Sequence, residues 1–381
     1  MSALPGRKRA AAPTSVKVSS CPWEQLDMHS RDRVTKPTEL VFNISYRCPL
    51  KCSHCCFSSD MTQLDVLPQD LMIAAIDDAA VAHDMTRINL VGGDPFLQPE
   101  LMRAAASRAR SFGLSTSATT SAYWATSEAK AERILTPLVE AGLERIIISF
   151  DDMHAEFLDG RNIAHAYRAA RSLGLDVLIA VVTSPGSVID QSRIFDLLGV
   201  DPDSDPQLSV YETAINSTGR AVDDVSASDL DARRHSPQVY RGPCPSVLRH
   251  FSVAPSGNVL PCCGVLPFHA AMSVGDLNET PMSEAMSRAY MDPVWKWIAF
   301  EGPIALLCEI TAETERPLAA SDFDGICTAC DRLFSNPELL QLLDSHLPRK
   351  LPTLTLLEHM FEAVGVFHSV PPPSSDLSAK F

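Results

Sequence analysis

The chain has 381 residues, 45% of them apolar, and a formal net charge of −15. It is long enough for a large core or two domains, and with no Lys/Arg run beyond Arg9 it lacks the basic stripe that gripping a nucleic-acid backbone requires. No segment approaches the ~18 apolar residues of a membrane span, and the basic N-terminus has no apolar stretch of the signal-peptide kind. The expected location is therefore cytoplasmic, where thiols stay reduced and eleven cysteines point to metal ligation or catalysis rather than disulfides.

Residues 1–37 mix Pro, Ser, Arg and Lys without periodicity and read as a mobile lead-in, too short for a folded recognition domain. From Thr38 the pattern alternates. Strands are expected at Glu39–Ser45, Arg87–Val91, Leu114–Ser121, Arg145–Asp151, Asp176–Thr183 and Leu208–Ile215. Helical spacing lies between them at Pro68–His83, Pro99–Phe112, Ser127–Ala141, Ile163–Leu173 and Gln191–Leu198. Six such units predict an α/β fold, a parallel sheet with right-handed crossovers forming an open partial (β/α)6 barrel over 38–222, with its site where strand C-termini meet their loops. The character then changes. Residues 221–243 are polar and loop-like, a hairpin is expected from Phe251–Val253 and Val259–Leu260, and one helix from Met282 to Phe300. A Cys-x-x-Cys at 327–330 closes a second unit, 223–335. Over 336–381 an amphipathic helix near Pro352–Val364 and a disordered PPPSS tail are expected.

The first cysteine group, Cys48, Cys52 and Cys55, directly follows the first strand. Three thiolates on one tight loop can hold three irons of a cubane and leave the fourth iron open. A zinc site completed by Cys56 or His54 is the competing reading. The spacing and its place before a β/α alternation resemble the radical S-adenosylmethionine (SAM) superfamily, whose signature is Cys-x3-Cys-x-aromatic-Cys. The resemblance implies a SAM-binding 4Fe–4S cluster, puts His54 near the adenine, and implies radical chemistry fed by a low-potential donor such as flavodoxin or ferredoxin.

Gly92-Gly93-Asp94-Pro95 ends the second strand and resembles the superfamily's Gly-Gly-Glu-Pro element, which binds the SAM amino group, with Asp94 in place of Glu. The two glycines permit close backbone approach to a ligand; an ordinary turn is the bland alternative. Thr119, with Thr120 and Ser121, ends the third strand, where it meets the ribose or the methionine carboxylate or simply caps a loop. Ser149 and Asp151 point the same way at the end of the fourth strand, toward the barrel mouth or the outside. His154 is a substrate ligand or a helix-start histidine. Gly219-Arg220 resembles the superfamily's Gly-Arg element after the sixth strand; Arg220 holds a carboxylate or is a surface arginine.

Cys244-x12-Gly257-x4-Cys262 resembles the start of a SPASM/twitch auxiliary-cluster domain, which Cys327 and Cys330 complete to four ligands of a second 4Fe–4S cluster; structural zinc on the same four is the alternative. No cysteine follows Cys330, so one auxiliary cluster is expected. Finally, the runs His54–Ser59, Ile148–Phe157, Pro261–Cys263 and Ile326–Phe334 resemble the YydG-type radical SAM peptide epimerases. That resemblance implies a ribosomally made peptide substrate, abstraction of an α-hydrogen, and Cys263 as the hydrogen donor that turns an L-residue to D. A separate leader-binding protein or the barrel itself would hold the peptide. Peptide thioether or carbon–carbon crosslinking, and dehydrogenation of a small sugar-like alcohol with the auxiliary cluster as electron acceptor, stand as alternatives because fold and cofactor do not fix the substrate.

Overall fold

The computed structural model describes residues 36–202, 204–225 and 239–367. Most of the expected lead-in, the middle of the 221–243 loop and the PPPSS tail lie outside the described residues. Six strands alternate with helices as the sequence predicts: β1 Glu39–Ser45, β2 Arg87–Gly92, β3 Ser115–Thr120, β4 Leu143–Ser149, β5 Asp176–Thr183 and β6 Leu208–Ala214. They pair in parallel in the order β6-β5-β4-β3-β2-β1. Local chemistry starts and stops the connecting helices. Ser127, Asp159 and Asp190 each accept a backbone N–H of the first turn, and Gly199 closes Gln191–Leu198 in the left-handed conformation.

The helices cover one face of the sheet, where Ile146, Ile148, Val177 and Ile179 join the main core. The opposite, concave face carries a separate small cluster of Ile147, Leu178 and Tyr211. Because side chains alternate, Ser149 shares the face of Ile147, as does Thr119, its neighbour on β3 in register with Ile147. The barrel is partial: among the described residues β6 and the strand Gly275–Asp276 are the outer strands and do not pair with each other.

The second unit continues the sheet. β7 (His250–Val253) pairs in parallel with β1, and β8 (Asn258–Leu260) and β9 (Gly275–Asp276) follow antiparallel. This seats the expected hairpin directly beside the first strand. The helix expected over Met282–Phe300 is two helices, Met282–Met291 and Pro293–Phe300. Pro293 has no N–H to continue the first, and Asp292 caps the second through Val294 N. The C-terminal helix starts fifteen residues earlier than its apolar pattern suggests, at Pro337, capped by Asn336, and runs to Ala363 through Pro348 and Pro352. Tertiary anchoring outweighs those breakers. Lys350 is buried over the Trp297 ring at 4.6 Å and bonds Glu301 and Glu309, each at 2.7 Å. No helix among the described residues is long and apolar enough to cross a membrane.

Candidate active site

The C-terminal end of β1 runs straight into the first cysteine loop, and β2 holds that loop in place. Gly93 N donates to Ser45 O at 2.7 Å and Asp94 N to Arg47 O at 2.9 Å. A Cβ on Gly92 would overlap Ser45 O, and one on Gly93 would overlap Arg47 O. The two glycines thus admit the cysteine loop itself, and the N–H groups of Gly93 and Asp94 are spent on it. From the other side Arg220 clamps the loop. Its backbone N–H donates to Cys55 O, and its guanidinium donates to Cys52 O and Ser59 O, both at 2.6 Å. Arg220 is buried, so it is not a surface arginine, and these bonds shape the loop. Gly219 lies against the carbonyls of Cys55 and Cys56 at φ +57°, where a side chain would overlap both.

Cys48, Cys52 and Cys55 are close enough to oppose one another's ionisation. Burial, then Asp94, pushes the Cys48 thiol up to about 12, and burial with Asp151 pushes Cys52 higher still. Backbone N–H groups already point at sulfur: Leu50 toward Cys48, and Ser59 toward Cys55 at 3.4 Å. Crowded, desolvated thiols with N–H donors suit an iron–sulfur cluster, whose positive irons stabilise thiolates that the apoprotein disfavours.

Around this loop the strand ends form a buried polar rim. The Asp94 carboxylate, 1% exposed, accepts from Thr120 Oγ1 at 2.8 Å, Ser121 N at 3.0 Å, Ser121 Oγ at 2.8 Å and Phe96 N at 3.2 Å. It therefore ties the β2 turn to the end of β3, and Trp124 Nε1 completes the knot on Thr120 Oγ1. Asp151 is fully buried between two imidazoles, His54 Nε2 at 3.1 Å and His154 Nδ1 at 2.9 Å. Burial alone would raise its carboxyl; His154 and then His54 overcome that and hold it far below the usual carboxylate range. The sequence identified His54, Asp151 and His154 one at a time; the fold joins them, because Asp151 also caps the turn Asp152–Ala155 through His154 N. His54 Nδ1 and Thr119 Oγ1 are buried without a protein partner, and both belong to this rim. Such orphaned groups fit a polar ligand at the mouth.

The second cysteine group closes around one cavity. Cys244, Cys262, Cys263, Cys327 and Cys330 line it together with Val247, Leu266, Met272, Trp295, Ile298 and Ile326. Cys262 precedes a tight turn whose Gly264 N–H points at its sulfur, and Cys327 and Cys330 share one face of the helix Ile326–Ser335. Burial and the neighbouring thiols push Cys262, Cys327 and Cys330 well up. The donor set again fits a cluster better than free thiols. One residue that sequence reasoning missed completes the frame. Asp324, fully buried, accepts from Ser217 N at 3.0 Å, from Ser217 Oγ and from Thr328 Oγ1. It carries no motif signal.

With this geometry, comparison with known proteins is informative. The radical SAM superfamily model matches residues 42–198, and the model of an iron–sulfur cluster-binding domain, SPASM, matches 244–308. A protein named for peptide biosynthesis, YydG of Bacillus subtilis (strain 168), is 20% identical over 303 residues, 78% of this chain and 92% of that protein. The GTP 3′,8-cyclase of Nostoc punctiforme is 30% identical over 181 residues, 41% of this chain and half of the cyclase. Among solved structures, native anSMEcpe with bound AdoMet and Cp18Cys peptide has a TM-score of 0.51 at 12% identity, covering 84% of this chain and 99% of that one, a likeness of fold. Residues 42–198 thus form a radical SAM superfamily domain, of an enzyme working with SAM and a 4Fe–4S cluster, and residues 244–308 a SPASM-type domain for auxiliary iron–sulfur.

Proposed function

We propose that this enzyme modifies a peptide by hydrogen-atom abstraction and that the reaction is epimerisation, with Cys263 returning the hydrogen. In this reading Cys48, Cys52 and Cys55 hold the SAM-cleaving cluster, and Cys244, Cys262, Cys327 and Cys330 the auxiliary one. The peptide is suggested by the name of the YydG relative. A low-potential electron donor is the expected partner. The observation that carries the reading is the position of Cys263. It is buried, it lines the auxiliary cavity, and it lies near Cys56, the neighbour of Cys55, whose thiol is pushed up by burial, then Cys55, and to a lesser degree Cys263. A Cβ on the next residue, Gly264, would fall 2.5 Å from Ser252 Oγ and 3.8 Å from Asn43 Nδ2, so this turn rests against β7 and β1. Cys263 thus sits between the two cysteine groups, on the β1 side of the barrel mouth.

When bound and reduced, the first cluster supplies the electron that cleaves SAM to methionine and a 5′-deoxyadenosyl radical. This chain's residues do the rest. Arg220 and Gly93 fix the loop, Asp151 fixes the His54 and His154 rings, and Thr119 and Ser149 line the concave face. At the substrate, the α C–H bond breaks as its hydrogen atom passes to the 5′-deoxyadenosyl radical, giving 5′-deoxyadenosine and leaving a carbon radical. The Cys263 S–H bond, weaker than most C–H bonds, then breaks to form a new C–H bond on the opposite face. One electron from the external donor and one solvent proton restore the thiol.

Replacing Cys263 with Ser tests this. The variant is expected to keep about eight irons and SAM cleavage while losing the epimerised product. Full product formation by the variant would rule the donor role out. A product two mass units lighter than the substrate would favour crosslinking or dehydrogenation instead.

A further inference from the structure

The two cysteine groups are built by different parts of the chain, yet one five-residue segment touches both. After β6, Asn216–Arg220 crosses from the auxiliary unit to the first cysteine loop. At its start Ser217 donates N–H and Oγ–H to the Asp324 carboxylate, and that carboxylate also accepts Thr328 Oγ1 from the first turn of the helix carrying Cys327 and Cys330. The Asn216 Oδ1 atom would lie 3.2 Å from a Cβ on Gly325, so this stretch is packed against the helix start. At its end Gly219 rests on the carbonyls of Cys55 and Cys56, and Arg220 donates to Cys52 O, Cys55 O and Ser59 O. Ser217, Thr218, Arg220 and Asp324 are all buried, Asp324 fully. A buried carboxylate is retained only where its donors repay desolvation, and here the donors all serve the joint between the two units.

We propose that Asn216–Arg220 is a strap that sets the separation and orientation of the two cluster sites, with Asp324 the positioning residue that fastens its auxiliary end. The proposal rests on the reading that both cysteine groups hold clusters. Electron transfer between centres depends on their spacing, so a rigid joint matters more here than stability alone. β7 pairs with β1 below the site, at Glu39–Phe42, so the strap is a second, separate tie between the two units, at the level of the cysteine loops.

The test uses anaerobically reconstituted holoenzyme, doubly reduced, and reads the magnetic interaction between the two clusters by EPR alongside iron content. The iron content of the unaltered enzyme, about eight per chain, checks the underlying reading separately; about four would sink that reading and not the strap alone. Asp324→Ala is expected to keep about eight irons and dithionite-driven SAM cleavage within about two-fold, while the inter-cluster interaction broadens. Ser217→Ala should shift it in the same direction by less. Asp324→Asn, which keeps an acceptor for Ser217, should restore the parent spectrum. An unchanged spectrum in Asp324→Ala overturns the proposal. So does loss of four irons in both Asp324→Ala and Ser217→Ala, which would make the carboxylate a folding element of the auxiliary site only.

Discussion

Asp94 stands where the superfamily's motif has Glu, and the structure says why the shorter side chain belongs here. Its carboxylate satisfies two backbone N–H groups, of Phe96 and Ser121, and two hydroxyls, of Thr120 and Ser121, at 1% exposure. In Asp94→Ala the hydroxyls can turn to other acceptors but the two N–H groups cannot. Each stranded donor costs ~1–3 kcal/mol, so the loss should be about 2–6 kcal/mol. Asp94→Glu keeps the acceptor but forces one methylene into a full site, at ~1–3 kcal/mol. Asp94→Asn keeps one acceptor oxygen, but Phe96 N and Ser121 N bond different oxygens, so the amide leaves one of these N–H groups facing a donor, at ~1–3 kcal/mol. The assay is urea unfolding of the holoenzyme under anaerobic conditions, with SAM affinity by calorimetry, since the same knot positions the end of β3. The predicted loss is largest for Ala, with Glu and Asn each losing less. An Asp94→Ala midpoint equal to that of the parent would refute the argument that this carboxylate ties β2 to β3.

Gly219→Ala should push the first cysteine loop outward, because its Cβ would meet the Cys55 and Cys56 carbonyls at φ +57°; iron analysis should fall from about eight to about four with the auxiliary signal kept. Replacing Cys48, Cys52 and Cys55 together by Ala should abolish 5′-deoxyadenosine formation, and retained cleavage would overturn their assignment. Lys350→Met should destabilise the helical cap by ~1–3 kcal/mol, toward the low end because Glu301 and Glu309 stay partly solvated. That loss has a pH signature. Burial alone would raise the Glu309 carboxyl, but Lys350 and His346 hold it below its usual value. Its contribution is therefore present above the ordinary carboxylate range and lost as pH falls through the depressed value. Lys350 is raised by Glu301 and Glu309 against its burial, so its contribution is present below the usual lysine range and lost only as pH rises through the raised value. The difference between parent and variant in thermal unfolding should be largest near neutrality and shrink toward pH 3.

The barrel was legible because its signals are local. Runs such as Arg145–Ser149 between capped helices carry strand and crossover together, and Cys48, Cys52 and Cys55 need only a tight loop. The auxiliary cysteines were legible for the same reason, as a hairpin plus a Cys-x-x-Cys. Contacts that join distant segments were not. Asp324 meets Ser217 across 107 residues, and His54 meets Asp151 across nearly a hundred, with no spacing rule to betray either. Arg220 reaches carbonyls of a bent loop more than 160 residues earlier, a contact that the Gly-Arg motif by itself does not reveal. The C-terminal helix was read short because Pro348 and Pro352 are local breakers, whereas Lys350 packed on Trp297 is a tertiary fact.

The central claim is that Cys263 returns hydrogen from the space between the two cysteine groups. Its most direct test is mass spectrometry of a precursor peptide encoded beside this gene, after anaerobic reaction in heavy water with SAM and a low-potential reductant. The account predicts a gain of about one mass unit per modified residue, from a solvent-exchanged thiol hydrogen, in the parent enzyme and not in Cys263→Ser. A loss of about two mass units, or a gain that survives in Cys263→Ser, would contradict it.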